Sequence, residues 1–322
     1  SLMYSLTTLE GANLLNSLTQ PQFFIFFGLG LILFMVLMVI ERKMEQSKST
    51  DPILPVALLK IRSYRWTLGV AFLSGAILAS VIFIPAYIEQ YLGVSRNMSG
   101  YWFTPLALAA GIGAGAGGAL VDRRGPIPTL IVASLIASFG FALFPLWVTS
   151  LWQMVVASSL VGIGFGTMLG APINVLATEH AGQEQATALA TSSLFRQVGM
   201  TLAPTLYAGF IARSMMNLEE TIKENLGESP QASQMPMAHP PEMNPEGMGS
   251  MDVEAIKEAF ANIPDPIGQV LLNSLEEVIK TGYDGLFTAA LCVTILTLLA
   301  TLILGFIRSR QPAANTEQNG DN

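Results

Sequence analysis

Seven stretches of this 322-residue chain, at roughly 22–40, 66–88, 103–121, 128–148, 152–177, 193–212 and 284–307, are apolar almost throughout. A helix rises about 1.5 Å per residue, so some twenty residues cross a hydrocarbon core of about 30 Å. No water-soluble domain needs seven such runs. Inside a bilayer, backbone N–H and C=O groups must bond within their own structure, which leaves helices or closed barrels. Runs of this length, rich in Leu, Ala and Gly, read as helices rather than barrel strands. The composition agrees, with 51% hydrophobic and 12% charged residues, against about 25% charged in an ordinary soluble domain. The expected fold class is all-α, a polytopic membrane helix bundle of about seven transmembrane helices in a lipid bilayer.

The formal net charge of −7 says less than where the charges fall. With the first run entering from outside, the inner side receives Arg42, Lys43, Lys48, Lys60, Arg62, Arg65, Arg123, Arg124, Arg308 and Arg310, with Arg196 near an inner helix end. The outer side receives Arg96, Arg213, Lys223, Lys257 and Lys280. Four of those five lie in one long loop, where the positive-inside rule carries little weight, so the short loops decide the orientation. The amino end is expected outside and the carboxyl end in the cytoplasm. An odd helix count, an external amino end and Ser1 as the first residue read as a fragment of a longer protein. A complete seven-helix receptor is the competing explanation.

The chain divides accordingly. Residues 1–21 form an outer loop, 22–40 a first helix, and 41–65 a cytoplasmic linker. In that linker Pro52 and Pro55 precede a short amphipathic, basic stretch at 56–62 that can rest on the inner surface. Residues 66–212 and 284–308 make six tightly connected helices, separated by a long acidic, Met- and Pro-rich outer loop at 213–283, and 309–322 is a cytoplasmic tail. Within the loop, Leu218, Ile222 and Leu226, and then Val253, Ile256, Phe260 and Ile263, recur at helical spacing. Asp265 and Pro266 suit the cap and first position of a third short helix carrying Leu271, Leu275, Val278 and Ile279. Residues 227–251 have no period and read as a disordered linker.

Several chemistries are excluded. Cys292, the single cysteine, sits in the last apolar run with no partner for a disulfide or thiolate cluster. His180 and His239 fall on opposite sides of the membrane, so no nucleophilic triad forms. No phosphate-binding Gly-x-x-x-x-Gly-Lys-Ser/Thr loop is present, which argues against ATP as energy source. Met235, Met237, His239, Met243, Met248 and Met251 carry ligands suited to Cu(I), but their spacing is irregular and prolines surround them. The expectation is no enzyme, no cofactor, no metal and no nucleic-acid partner.

Short motifs recur at the helix ends. They are the proline-bearing segment 51–60, the stretches 85–93 and 99–105, Gly118 to Gly125 with Asp122 and Arg123 between them, 182–190, and Phe195-Arg196-Gln197-Val198-Gly199. In this order they resemble the carboxyl-terminal half of the major facilitator superfamily, and most of all its drug:proton antiporter family with fourteen transmembrane helices. The resemblance spans nearly the whole chain apart from the outer loop. It implies that the first helix is the second of two extra central helices, that the next six are the carboxyl-terminal six-helix domain, and that the amino-terminal half of the carrier is missing. It also implies an alternating-access exporter of amphipathic, cationic compounds driven by proton entry.

On that resemblance, Gly118, Asp122, Arg123 and Gly125 form the inner-loop element whose aspartate caps a neighbouring helix and pairs with arginine to latch the outward-closed state. Pro126, Ile127 and Pro128 depart from the basic residues common after it. Arg196 and Gln197 match an arginine–glutamine pair at the inner gate; in the membrane such a charge must find a partner or reach the surface. Glu89 is a candidate proton or cation site, because burial raises a carboxyl pKa, and Gln90, Tyr87, Tyr91 and Asn174 are candidate substrate contacts. Gly111, Gly113, Gly115, Gly117 and Gly118, and Gly162, Gly164, Gly166 and Gly170, allow helices to pack tightly or to slide. The expected partners are a small-molecule substrate, protons, the missing half and a membrane-fusion protein, and the expected location is a bacterial inner membrane. A non-transporting sensor or scaffold and an uptake carrier for a metabolite are the alternatives.

Overall fold

The computed structural model describes residues 56–226, 253–264 and 267–310. The first apolar run, most of the linker, the 227–251 segment and the tail beyond 310 lie outside the described residues. Within them every element is helical: α1 (Val56–Leu59), α2 (Arg62–Val81), α3 (Ile84–Gln90), α4 (Arg96–Arg124), α5 (Pro126–Trp147), α6 (Leu151–Gly170), α7 (Pro172–Thr178), α8 (Gln185–Met216), α9 (Leu218–Leu226), α10 (Val253–Ala261) and α11 (Ile267–Arg310).

Five segments are long and apolar enough to cross a membrane: Arg62–Gln90, Asn97–Arg124, Pro126–Trp147, Leu151–Thr178 and Ile267–Arg310. Helix α8 covers the sixth run and has the length, at 32 residues, but Arg196, Gln197 and its hydroxyl residues lower its apolar average. Prolines interrupt two of the spans. Between α2 and α3 the chain breaks at Ile82 and Phe83, with Pro85 in the first turn of α3, where a missing N–H costs least. Between α6 and α7 it breaks at Ala171, because the residue before a proline is driven away from helical geometry.

Tight connections make consecutive spans antiparallel. One end of the bundle, here the motif face, gathers Arg62, Arg124, Thr178 and Arg310. The other, the loop face, gathers Gln90, Trp147, Met216 and the helices α9 and α10. Lipid tails are as apolar as leucine, so helices in a bilayer associate through close backbone approach and hydrogen bonds rather than by escape from water. Two crossings show this. Where α4 meets α6, a Cβ at Gly162 would stand 2.5 Å from the Leu106 carbonyl oxygen, one at Gly170 would stand 2.8 Å from that of Ala114, and one at Gly117 would stand 2.7 Å from that of Thr167. Gly113 and Gly166 are closed off in the same way by Ile163 and Ala110, and Thr167 Oγ1 donates to the Gly113 carbonyl at 3.0 Å. Where α2 meets α8, Gly75 lies on the Arg196 backbone and Gly199 on that of Phe72, while Tyr207 donates to the Ala76 carbonyl at 3.1 Å. Tight packing accounts for these glycines; Gly111, Gly115 and Gly118 face open space.

The structure corrects one boundary. The third loop helix and the last span are not separate, because α11 runs unbroken for 44 residues, about 66 Å. Tyr283 meets the end of α3, so residues 267–282 rise about 24 Å beyond it. Helices α9 and α10, over the periodic stretches expected to be helical, cover the apolar side of this extension. Leu271, Leu275 and Val278 of α11, Ile222 of α9 and Val253 of α10 are buried there. Outside the bilayer, each such burial stabilises by about 1.5–3 kcal/mol.

Gly166→Ala is expected to lower the thermal stability of the detergent-solubilised protein by at least ~1–3 kcal/mol, the cost of overpacking. Gly69→Ala, with open space around its Cβ position, is expected to be neutral or to stabilise by ~0.5–1 kcal/mol. Thermal unfolding of the two variants beside the parent checks this.

Candidate functional site

Helix α4 ends in Asp122-Arg123-Arg124, all exposed. Gly125 takes φ +86° and returns its N–H to the Val121 carbonyl at 2.8 Å, a conformation that suits glycine. Pro126 then opens α5 without needing a donor, and Thr129 Oγ1 donates to the Gly125 carbonyl at 2.8 Å. Among the described residues Asp122 and Arg123 pair with no partner, and no side chain caps α5. Gly118, one turn earlier, presents its bare backbone to open space. The element is a rigid turn that projects its charges outward.

Arg196 lies on α8, with its carbonyl against Gly75 of α2. Its Nε and Nη2 are buried and have no hydrogen-bond partner among the described residues, as is also true of Ser192 Oγ one turn before it. The guanidinium therefore neither reaches the surface in full nor finds a counter-charge here. Gln197 is exposed beside it.

At the loop face Tyr87, Gln90 and Tyr91 come together on α3, around Tyr283 and two phenylalanines. Tyr87 is 1% exposed. Its ring meets those of Tyr91, Tyr283 and Phe287 at 5.3 Å and that of Phe144 at 5.7 Å, and its hydroxyl donates to the Val148 carbonyl at 3.3 Å. Gln90 Oε1 accepts from the Tyr283 hydroxyl at 2.9 Å. Its backbone carbonyl accepts from Lys257 Nζ of α10, also at 2.9 Å. Glu89 is partly buried on the same helix, and Asn174 is exposed on α7, near the opposite face.

Sequence reasoning missed Tyr283, Lys257, Phe144 and Phe287, and with them the partly buried Asp284. For Tyr283 the signal was the last apolar run itself, which was cut at residue 284 and so separated Tyr283 from the span it belongs to. It also missed the ion pair between Arg308 of α11 and Glu179, at 2.5 Å. That pair ties two helix ends at the motif face, but its exposure limits it to about 0–1 kcal/mol.

A family model described as Major Facilitator Superfamily matches residues 9–204, more than half of the chain. The chain belongs to that superfamily. Membership, together with the long apolar helices, makes it an integral membrane protein. It is 44% identical over 312 residues to the uncharacterized MFS-type transporter YfiU of Bacillus subtilis, covering 97% of this chain and 59% of that protein. It is 28% identical over 267 residues to the multidrug transporter protein MdtP of the same organism, covering 79% of this chain and 49% of that protein. The efflux pump dotC of Dothistroma septosporum is 26% identical over 178 residues, covering 54% of this chain and 30% of that protein. The chain thus spans about three-fifths and about half of the length of the first two, respectively.

Arg196→Met is expected to leave thermal stability unchanged or to raise it by ~1–2 kcal/mol, since an unpaired buried charge costs more than an apolar side chain of similar length. A loss of ~3 kcal/mol or more in thermal unfolding of the full-length protein would mean that a group beyond the described residues balances the guanidinium.

Proposed function

We propose that this chain is the carboxyl-terminal part of an alternating-access transporter that exports amphipathic, cationic compounds in exchange for protons. In this reading residues 66–212 and 284–308 are one six-helix unit, preceded by an extra span at 22–40. The motif face lies in the cytoplasm and the loop face outside, the membrane being the bacterial inner membrane. Superfamily membership supports transport, and the printed names of the multidrug and efflux relatives support the substrate class and direction.

The observation that carries the reading is the contrast between two sides of α4. Gly113 and Gly117 are filled by α6, whereas Gly111, Gly115 and Gly118 lie bare on a helix whose Leu108 and Ile112 are 65% and 69% exposed. A membrane helix with exposed backbone on a small-residue side accepts another helix at close range. The relatives' additional length offers one. Asp122 and Arg123, projecting from the end of the same helix, then latch the two halves on the motif face. A proton gradient supplies about 2.3 kcal/mol per charge for each 100 mV, enough to bias a two-state equilibrium more than tenfold.

Ethidium efflux by the full-length protein in proteoliposomes tests this. Efflux is expected to stop when the proton gradient is collapsed. Asp122→Asn is expected to lower the rate about tenfold or more, the equivalent of losing one charge-assisted hydrogen bond. Efflux indifferent to the gradient would remove the proton coupling, and full activity of Asp122→Asn would remove the latch.

A further inference from the structure

We propose that the helices above the loop face form a clamp on a hinged half-helix. Docking of α10, through Lys257 on the Gln90 carbonyl, holds α3 against α11, and undocking frees α3 to pivot at Ile82 and Phe83.

Three observations meet at Gln90. First, α3 is set off from α2 by an irregular turn at Ile82 and Phe83, both still in helical conformation. The ladder is interrupted at Phe83, whose N–H turns back to the Ser80 carbonyl at 3.2 Å, and Pro85 has no donor to restore it. Ile84, Tyr87 and Ile88 pack these seven residues on the core, and the contacts at their far end add to that packing in fixing their tilt. Second, that far end is held twice by elements distant in sequence. Tyr283 of α11 donates to the Gln90 side chain, and Lys257 of α10 donates to its carbonyl. The carbonyl is one of those a helix leaves unpaired at its C-terminus, where the helix dipole favours a cation. Third, α10 is seated rather than trailing. Val253 is 3% exposed, and Ile256 and Phe260 pack on the same apolar core that runs down into the spans.

The clamp cannot be lifted without exposing that apolar side and stranding Gln90's carbonyl. Undocking is therefore opposed by both terms together, and the docked position is a discrete one, as a switching element requires. Its consequence, opening of the loop-face mouth, rests on the transport reading above; the clamp itself does not.

Hydrogen–deuterium exchange on the full-length protein in nanodiscs tests the clamp. The reporting amides are those of Tyr91 and Leu92, bonded to the Tyr87 carbonyl at 3.0 and 3.4 Å, and of Val94, bonded to that of Ile88 at 3.2 Å. Lys257→Met is expected to speed exchange over 84–94 and 253–261 about tenfold, the scale of one charged hydrogen bond, and Lys257→Arg to restore protection. Unchanged exchange over 126–170 shows that the variant is folded. If Lys257→Met fails to fold, Tyr283→Phe removes the second tie and is expected to speed exchange over 84–94 in the same way. Parental exchange over 84–94 in the folded variant overturns the clamp.

A second arm, in a Cys292→Ala background, joins Lys257→Cys to Leu92→Cys with a bifunctional methanethiosulfonate. Ethidium efflux is expected to stop and to recover with reductant. Efflux that survives cross-linking overturns the link to gating while leaving the clamp in place. Absence of efflux before cross-linking contradicts the transport reading instead.

Discussion

Where α4 crosses α6, and again where α2 crosses α8, the two backbones touch with no side chain between them. In water such a crossing would be one contribution among many, since burial of apolar area dominates. In a bilayer that term is nearly absent between helices, and packing distance takes over. Leu106, Ala110 and Ala114 of α4 meet Gly162, Gly166 and Gly170 of α6 in register, at the four-residue interval of one helix face. Thr167 adds a bond across the same seam. An interlock of this kind has no room for gradual sliding, because a packed interface resists small displacements. In the proposed transport cycle this seam holds α4 and α6 together as one body, and the bare side of α4 is the surface that meets the other half.

The loop face obeys different physics. Helices α9 and α10 pack on the part of α11 that rises past α3, and with that part outside the bilayer the burial of Ile222, Val253, Leu271 and Leu275 counts in full. Yet the core they form is continuous with that of the bundle, so the two regimes meet at Tyr87, Gln90 and Tyr283. The core under α9 and α10 is thus set directly on that of the spans, with Gln90 as the joint.

The sequence made the spans legible because twenty apolar residues have few other uses, and it made α9 and α10 legible because Leu218, Ile222, Val253 and Phe260 keep helical spacing. It misled at α11. Pro266 is a good opening residue for a helix, but nothing between it and Tyr283 stops one, so the short helix expected there and the last span are continuous. Tyr87 shows another limit. A tyrosine near a helix end reads as a candidate contact for a substrate, and only the positions of Phe144, Tyr283 and Phe287, 57 to 200 residues away in the chain, show the aromatic cluster to which it belongs. Whether a glycine is packed or bare is equally non-local: Gly113 and Gly115 are alike in sequence and opposite in surroundings.

In the transport cycle proposed above, the six-helix unit apart from the half-helix α3 moves as one rigid body against the rest of the transporter. Spin labels at Tyr101→Cys and Leu146→Cys, at exposed loop-face ends of α4 and α5, measure this in the full-length protein when Cys292 is replaced and a third site is chosen in the remaining half. Pulsed electron–electron distances should be unchanged within the unit between high and low pH while the distance to the other half shifts by several ångströms. A pair within the unit that moves as much as the pair between halves would contradict it.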